Sequence, residues 1–151
     1  MTRLLAQAIL LVVVAGFAWR KGEWPERASA TALLATLFID QVAHRVFGMP
    51  WGPYDQLHPW HFTLDCALLA VILSIALKAD RLWTLWLGSA QILAVAGHVA
   101  RALSADIHPM IYAILERYPF WMAIVITAWG TRNVAHRKRM AAQKTRAQPT
   151  G

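Results

Sequence analysis

Charge is scarce in this chain. Asp, Glu, Lys and Arg supply only 15% of its 151 residues, against about 25% in soluble domains. A soluble domain of this size must cover itself with polar side chains, so the shortage argues against one. Cysteine is nearly absent. The single Cys66 excludes a disulfide framework and any cysteine-only metal site. Nowhere do apolar and polar residues alternate with period two, which excludes a transmembrane barrel pattern. Also missing are a G-x-S-x-G elbow, a glycine-rich phosphate loop and a C-x-x-C pair, and the small residues Gly88, Ser89 and Ala90 do not make a G-x-x-x-G motif. No internal repeat is visible.

What is present is apolar sequence. Apolar residues make up 58% of the chain, and the mean hydropathy is +0.40. These values exclude disorder and point to an all-α integral membrane protein. Five apolar segments can be drawn: Leu4–Trp19, Ala28–Phe47, Trp60–Leu77, Leu82–Leu103 and a stretch within Pro109–Thr131. Each approaches the roughly 20 residues that a helix needs to span a bilayer. The first segment starts like a signal peptide. It is followed by Trp19-Arg20-Lys21-Gly22-Glu23-Trp24 rather than small residues, so it reads as a mature helix.

The net charge of +7 is unevenly placed. Six of the fifteen basic residues lie in the last twenty positions, from Arg132 to Arg146. A basic tail after an apolar segment reads as an anchor on anionic lipid rather than a nucleic-acid contact. With the N-terminus outside and the C-terminus cytoplasmic, eleven basic residues fall inside and four outside. That split obeys the positive-inside rule and requires an odd number of spans. Trp19, Trp24, Trp83, Trp86 and Trp129 fall at the proposed inner boundary. Trp51, Trp60 and Trp121 fall near the outer one, as a tryptophan belt would.

The expectation is a five-helix transmembrane domain over residues 1–134 in the inner membrane, with a disordered basic cytoplasmic tail over 135–151. Pro25 is placed to open the second helix. Lys78–Arg81 should close a tight hairpin. Gly48–Pro59, with three prolines and two glycines, should be a structured outer loop. Ser104 or Asp106 is placed to cap the fifth helix. The partners expected are the lipid bilayer and either other membrane subunits or further copies of the chain.

Ionisable residues inside a membrane are costly, so they mark sites. Asp40 and His44 are four apart and share one helix face. His61 and Asp65 repeat that spacing on the third helix. Gln91 and His98 lie on the fourth, with Gln91 deeper, and Glu116 joins if the fifth helix begins near Pro109. Depth and face together place Asp40, His44, His61, Asp65 and His98 around one outward-facing polar pocket.

Three readings of that pocket stay open. It can be a structural hydrogen-bond network between helices. It can be a ligand, proton or divalent-metal site, since imidazole and carboxylate suit zinc, iron or manganese. Or His44 and His98, at similar depth, can be axial ligands of haem b. An accessory subunit of a larger membrane complex is the alternative to a ligand-binding protein. In helix number, length and tryptophan content the chain resembles the tryptophan-rich sensory protein (translocator protein) family. That family's proline- and tryptophan-rich signature follows its first helix. Here the Pro-Trp-Gly-Pro run at 50–53 follows the second, so the resemblance carries over no ligand and no site residue.

Overall fold

A computed structural model describes residues 2–49, 57–104 and 107–147. Within them the chain forms five helices and no strand: α1 (Thr2–Lys21), α2 (Trp24–Arg45), α3 (Pro59–Ala79), α4 (Leu82–Leu103) and α5 (Pro109–Ala147). Each helix packs on its chain neighbours. Contacts between α1 and α5 close the ring, and α5 also meets α2.

Local chemistry explains the boundaries. Pro25 sits in the first turn of α2, where its missing N–H costs nothing. The Glu23 N–H donates to the Glu26 carboxylate at 2.8 Å, which satisfies the helix start. Pro59 opens α3, and Asp80 ends it in the left-handed conformation at φ 45°. Asp tolerates that conformation better than most side chains. At the start of α5, His108 Nδ1 accepts from the Met110 N–H at 3.2 Å. That contact supplies a cap from His108, a residue not singled out for it in the sequence. Ser104 ends α4, and Asp106 lies outside the described residues. Most of the expected Gly48–Pro59 loop, including Trp51, lies outside them too.

Two expectations change in the fold. Four helices, α1, α3, α4 and α5, are long and apolar enough to cross a membrane. α2 is about 33 Å long at the usual rise, but Glu26, Arg27, Asp40 and Arg45 make it too polar to join them. Part of that polarity faces inward, since Glu26 and Ser29 are fully buried and His44 nearly so. The second change is at the C-terminus. α5 continues through Ala147, where a disordered tail was expected from residue 135. Ala, Arg, Lys, Gln and Met are all strong helix formers, and no proline or glycine interrupts them. Pro119 lies within α5 without ending it.

The apolar core runs along the bundle axis through Leu11, Leu33, Leu68, Ile72, Leu87 and Ile124. Trp83 belongs to this core rather than to a boundary belt, being only 5% exposed. Its ring lies on Gly130 of α5, where an added Cβ would stand 2.5 Å from it. Trp19, Trp24, Trp86 and Trp129 remain exposed, as a belt requires. Large apolar side chains such as Phe38, Leu77, Leu82 and Leu103 point outward from the bundle. In water such a surface would drive association; in a bilayer it meets lipid tails.

Candidate metal centre

The end of α2, the start of α3, the end of α4 and the start of α5 meet at one end of the bundle. All the ionisable residues singled out above lie there, in two sets joined by α3.

The first set is built on α2 and α3. His44 Nε2 and His61 Nε2 are 3.0 Å apart. Asp40 Oδ1 is 3.4 Å from the first and 3.3 Å from the second. Three ligand atoms from three side chains thus form a nearly regular triangle. Four ligands around a tetrahedral ion at about 2.0–2.1 Å would be separated by roughly 3.3 Å, so this triangle is one face of such a shell.

The outward nitrogens of both rings are held in place. His44 Nδ1 is 2.9 Å from the Met49 carbonyl oxygen. A carbonyl only accepts, so Nδ1 carries the hydrogen. His61 Nδ1 is 2.8 Å from Glu116 Oε1 and donates to that carboxylate. These partners assign the tautomers: in the neutral rings, both Nε2 atoms present lone pairs. With both rings neutral, two nitrogen lone pairs and a carboxylate oxygen face one another, an arrangement that a cation, whether a proton or a metal ion, relieves. A carboxylate or carbonyl behind each imidazole is also the usual support of a metal-binding histidine.

Surroundings complete the site. Trp60 Nε1 donates to Asp40 Oδ1 at 3.3 Å. His58 stacks on His61 with ring centroids 4.4 Å apart. The His44 side chain is fully buried, while those of Asp40 and His61 keep 18% and 20% exposure. Two of the three side chains of the triangle thus keep some contact with the surface.

The second set lies one turn further along α3. Asp65 Oδ2 is 3.0 Å from His98 Nε2, and Asp65 Oδ1 accepts from Gln91 Nε2 at 3.0 Å. His98 Nδ1 is 2.7 Å from the Tyr112 hydroxyl. Gln91, His98 and Tyr112 are all buried. Donors and acceptors match here: His98 Nε2–H serves the carboxylate, and the tyrosine hydroxyl serves Nδ1. Gly97 places this set, because a Cβ there would stand 2.9 Å from Leu115 of α5. Its absence lets α4 approach α5 beside His98. The Arg101 guanidinium donates to the Ile107 carbonyl and lies over the Tyr112 ring, fastening the α4–α5 connection.

All five expected residues thus come to one end of the bundle, but not to one pocket. Asp40, His44 and His61 converge with Glu116, while half-buried Asp65 and buried His98 form a separate pair. The two histidines considered as haem ligands are divided between the sets. Both ring nitrogens of His98 are engaged by Asp65 and Tyr112, so none is directed at an iron shared with His44. Tyr112, Trp60, His58 and the Met49 carbonyl were not foreseen as parts of the site. For His58 a sequence signal existed: it stands three residues before His61.

Comparison of the chain with family models, with curated proteins and with solved structures finds no match.

Proposed function

We propose that this is a multi-pass inner-membrane protein that binds one divalent transition-metal ion through Asp40, His44 and His61. The observation that carries the reading is the triangle of Nε2, Nε2 and Oδ1 atoms, with both Nδ1 hydrogens already committed elsewhere. Two imidazoles and a carboxylate suit zinc, iron and manganese alike. Three protein ligands leave at least one coordination position for water or a small ligand. Asp40 and His61 supply an exposed approach to it, and Glu116 holds the His61 ring and raises its basicity.

In this reading α2 crosses the membrane with the other four helices, its buried Glu26, Ser29 and His44 turned away from lipid. Five spans then put the N-terminus outside and the basic C-terminus in the cytoplasm, consistent with the loop charges. The metal site opens on the outer side. Metal analysis of the purified protein tests the reading. One zinc, iron or manganese ion per chain is expected in the wild type, with His61→Ala and Asp40→Ala losing it. A wild type that stays empty after incubation with each of these ions and removal of the excess would refute the site.

A further inference from the structure

Away from the metal site, α2 and α3 diverge and leave a lengthwise groove of about 680 Å³. Its floor is made by short side chains, Ala28, Ala32, Ala35 and Ala67, with Leu64 and Val71 on the α3 wall. The groove runs from Arg27 to Ile39, about 18 Å at the helical rise. That is close to the depth of one leaflet of a bilayer whose hydrocarbon is about 30 Å thick. A smaller hollow shares Trp24, Ala28 and Val71 with it and continues to Lys78. Arg27 thus lines the groove and Lys78 the hollow that adjoins it. Neither forms an ion pair among the described residues. The neighbouring Arg81 and Lys138, by contrast, both reach Glu23. Trp19 and Trp24 flank the Arg27 end of the groove, and the Arg27 guanidinium lies over the Trp19 ring at 5.9 Å.

We propose that this groove binds an anionic phospholipid, one acyl chain lying along α2 and α3 and the phosphate held by Arg27 and Lys78. An apolar slot one leaflet deep fits an acyl chain. Two unpaired cations beside it fit a headgroup with net negative charge better than a zwitterionic one. The tryptophans mark the Arg27 end as the headgroup level, and it is the basic end of the bundle, where cytoplasmic anionic lipid gathers. The proposal rests on the membrane reading and is independent of the metal. Extraction of cell membranes with alkaline carbonate tests membrane insertion separately.

The test is native mass spectrometry of the full chain released from nanodiscs of equal phosphatidylglycerol and phosphatidylethanolamine. The wild type is expected to retain one phosphatidylglycerol, at least fivefold over phosphatidylethanolamine. Arg27→Gln with Lys78→Gln should abolish that preference while leaving the metal content unchanged. Ala32→Trp, which fills the groove, should abolish retention of either lipid. The proposal is overturned if the wild type retains no lipid or both equally, or if neither variant alters retention. It is also overturned if the chain leaves the nanodisc as a lipid-free dimer, because the groove would then be a contact between copies.

Discussion

The two polar sets at one end of this bundle have similar ingredients and opposite characters. Asp65, Gln91, His98 and Tyr112 form a closed network in which each hydrogen named above has an acceptor. Asp40, His44 and His61 form an open one, in which three acceptors meet and the ring hydrogens point elsewhere. The contrast lies in the Nδ1 partners. Tyr112 offers His98 a hydroxyl that can donate, so Nε2 is free to donate to Asp65. Met49 and Glu116 offer only acceptors, so in the neutral rings the Nε2 atoms of His44 and His61 are left able to act as ligands. A histidine's role in a bundle is therefore set as much by what stands behind the ring as by what stands in front.

Removing a ligand from the open set should separate the two most sharply. His61→Ala and His44→Ala should each weaken metal binding more than about 100-fold, beyond the usual effect of losing a supporting partner. His98→Ala should leave it unchanged. Chelator competition on the purified proteins measures both. Equal losses in all three would merge the sets into one site.

Acid should act on the open set next. Imidazole must be deprotonated to bind metal, so affinity falls as pH falls. Lowering the pH from about 7.5 to about 5.5 should weaken binding more than tenfold, because protons compete with the metal for the ligand nitrogens. The same competition assay across pH follows it; a flat profile would mean that histidines are not the ligands. Glu116→Gln keeps a hydrogen-bond acceptor behind His61 but removes the charge. A loss of about 10–100-fold is expected, and an unchanged affinity would reduce Glu116 to a bystander.

In the closed set the effects should fall on stability. His98→Ala removes the hydrogen bonds that His98 makes with Asp65 and with the Tyr112 hydroxyl, at a cost of about 1–3 kcal/mol. Tyr112→Phe removes the hydrogen bond to His98; bonds of this kind between helices are worth about 0.6 kcal/mol on average in membranes. Thermal unfolding in detergent, read by circular dichroism, should rank wild type, Tyr112→Phe and His98→Ala in falling order. Any other order would show that the network is not what fastens α3, α4 and α5 together.

Much of the fold was legible because helices in lipid announce themselves by length and apolarity. The limits of α4, Leu82 and Leu103, were readable to the residue. The pairing of Asp40 with His44 followed from a spacing of four on one helix. Less legible was anything that depends on how one helix is rotated against another. His61 and Asp65 share a face, yet one turns toward α2 and Glu116 and the other toward α4. Trp83 looked like a boundary residue because its position is terminal, but Gly130 on a distant part of the chain gives its ring a place inside. Tyr112 was passed over because a lone tyrosine near a helix start carries no periodic signal.

X-ray absorption of the metal-loaded protein shows whether the open triangle holds the ion. Scattering from two imidazole rings is expected, with nitrogen and oxygen bound at about 2.0–2.1 Å if the metal is zinc, and one imidazole signature lost in His44→Ala. A metal surrounded by oxygen alone, or a spectrum that His44→Ala leaves unaltered, would contradict a metal site there.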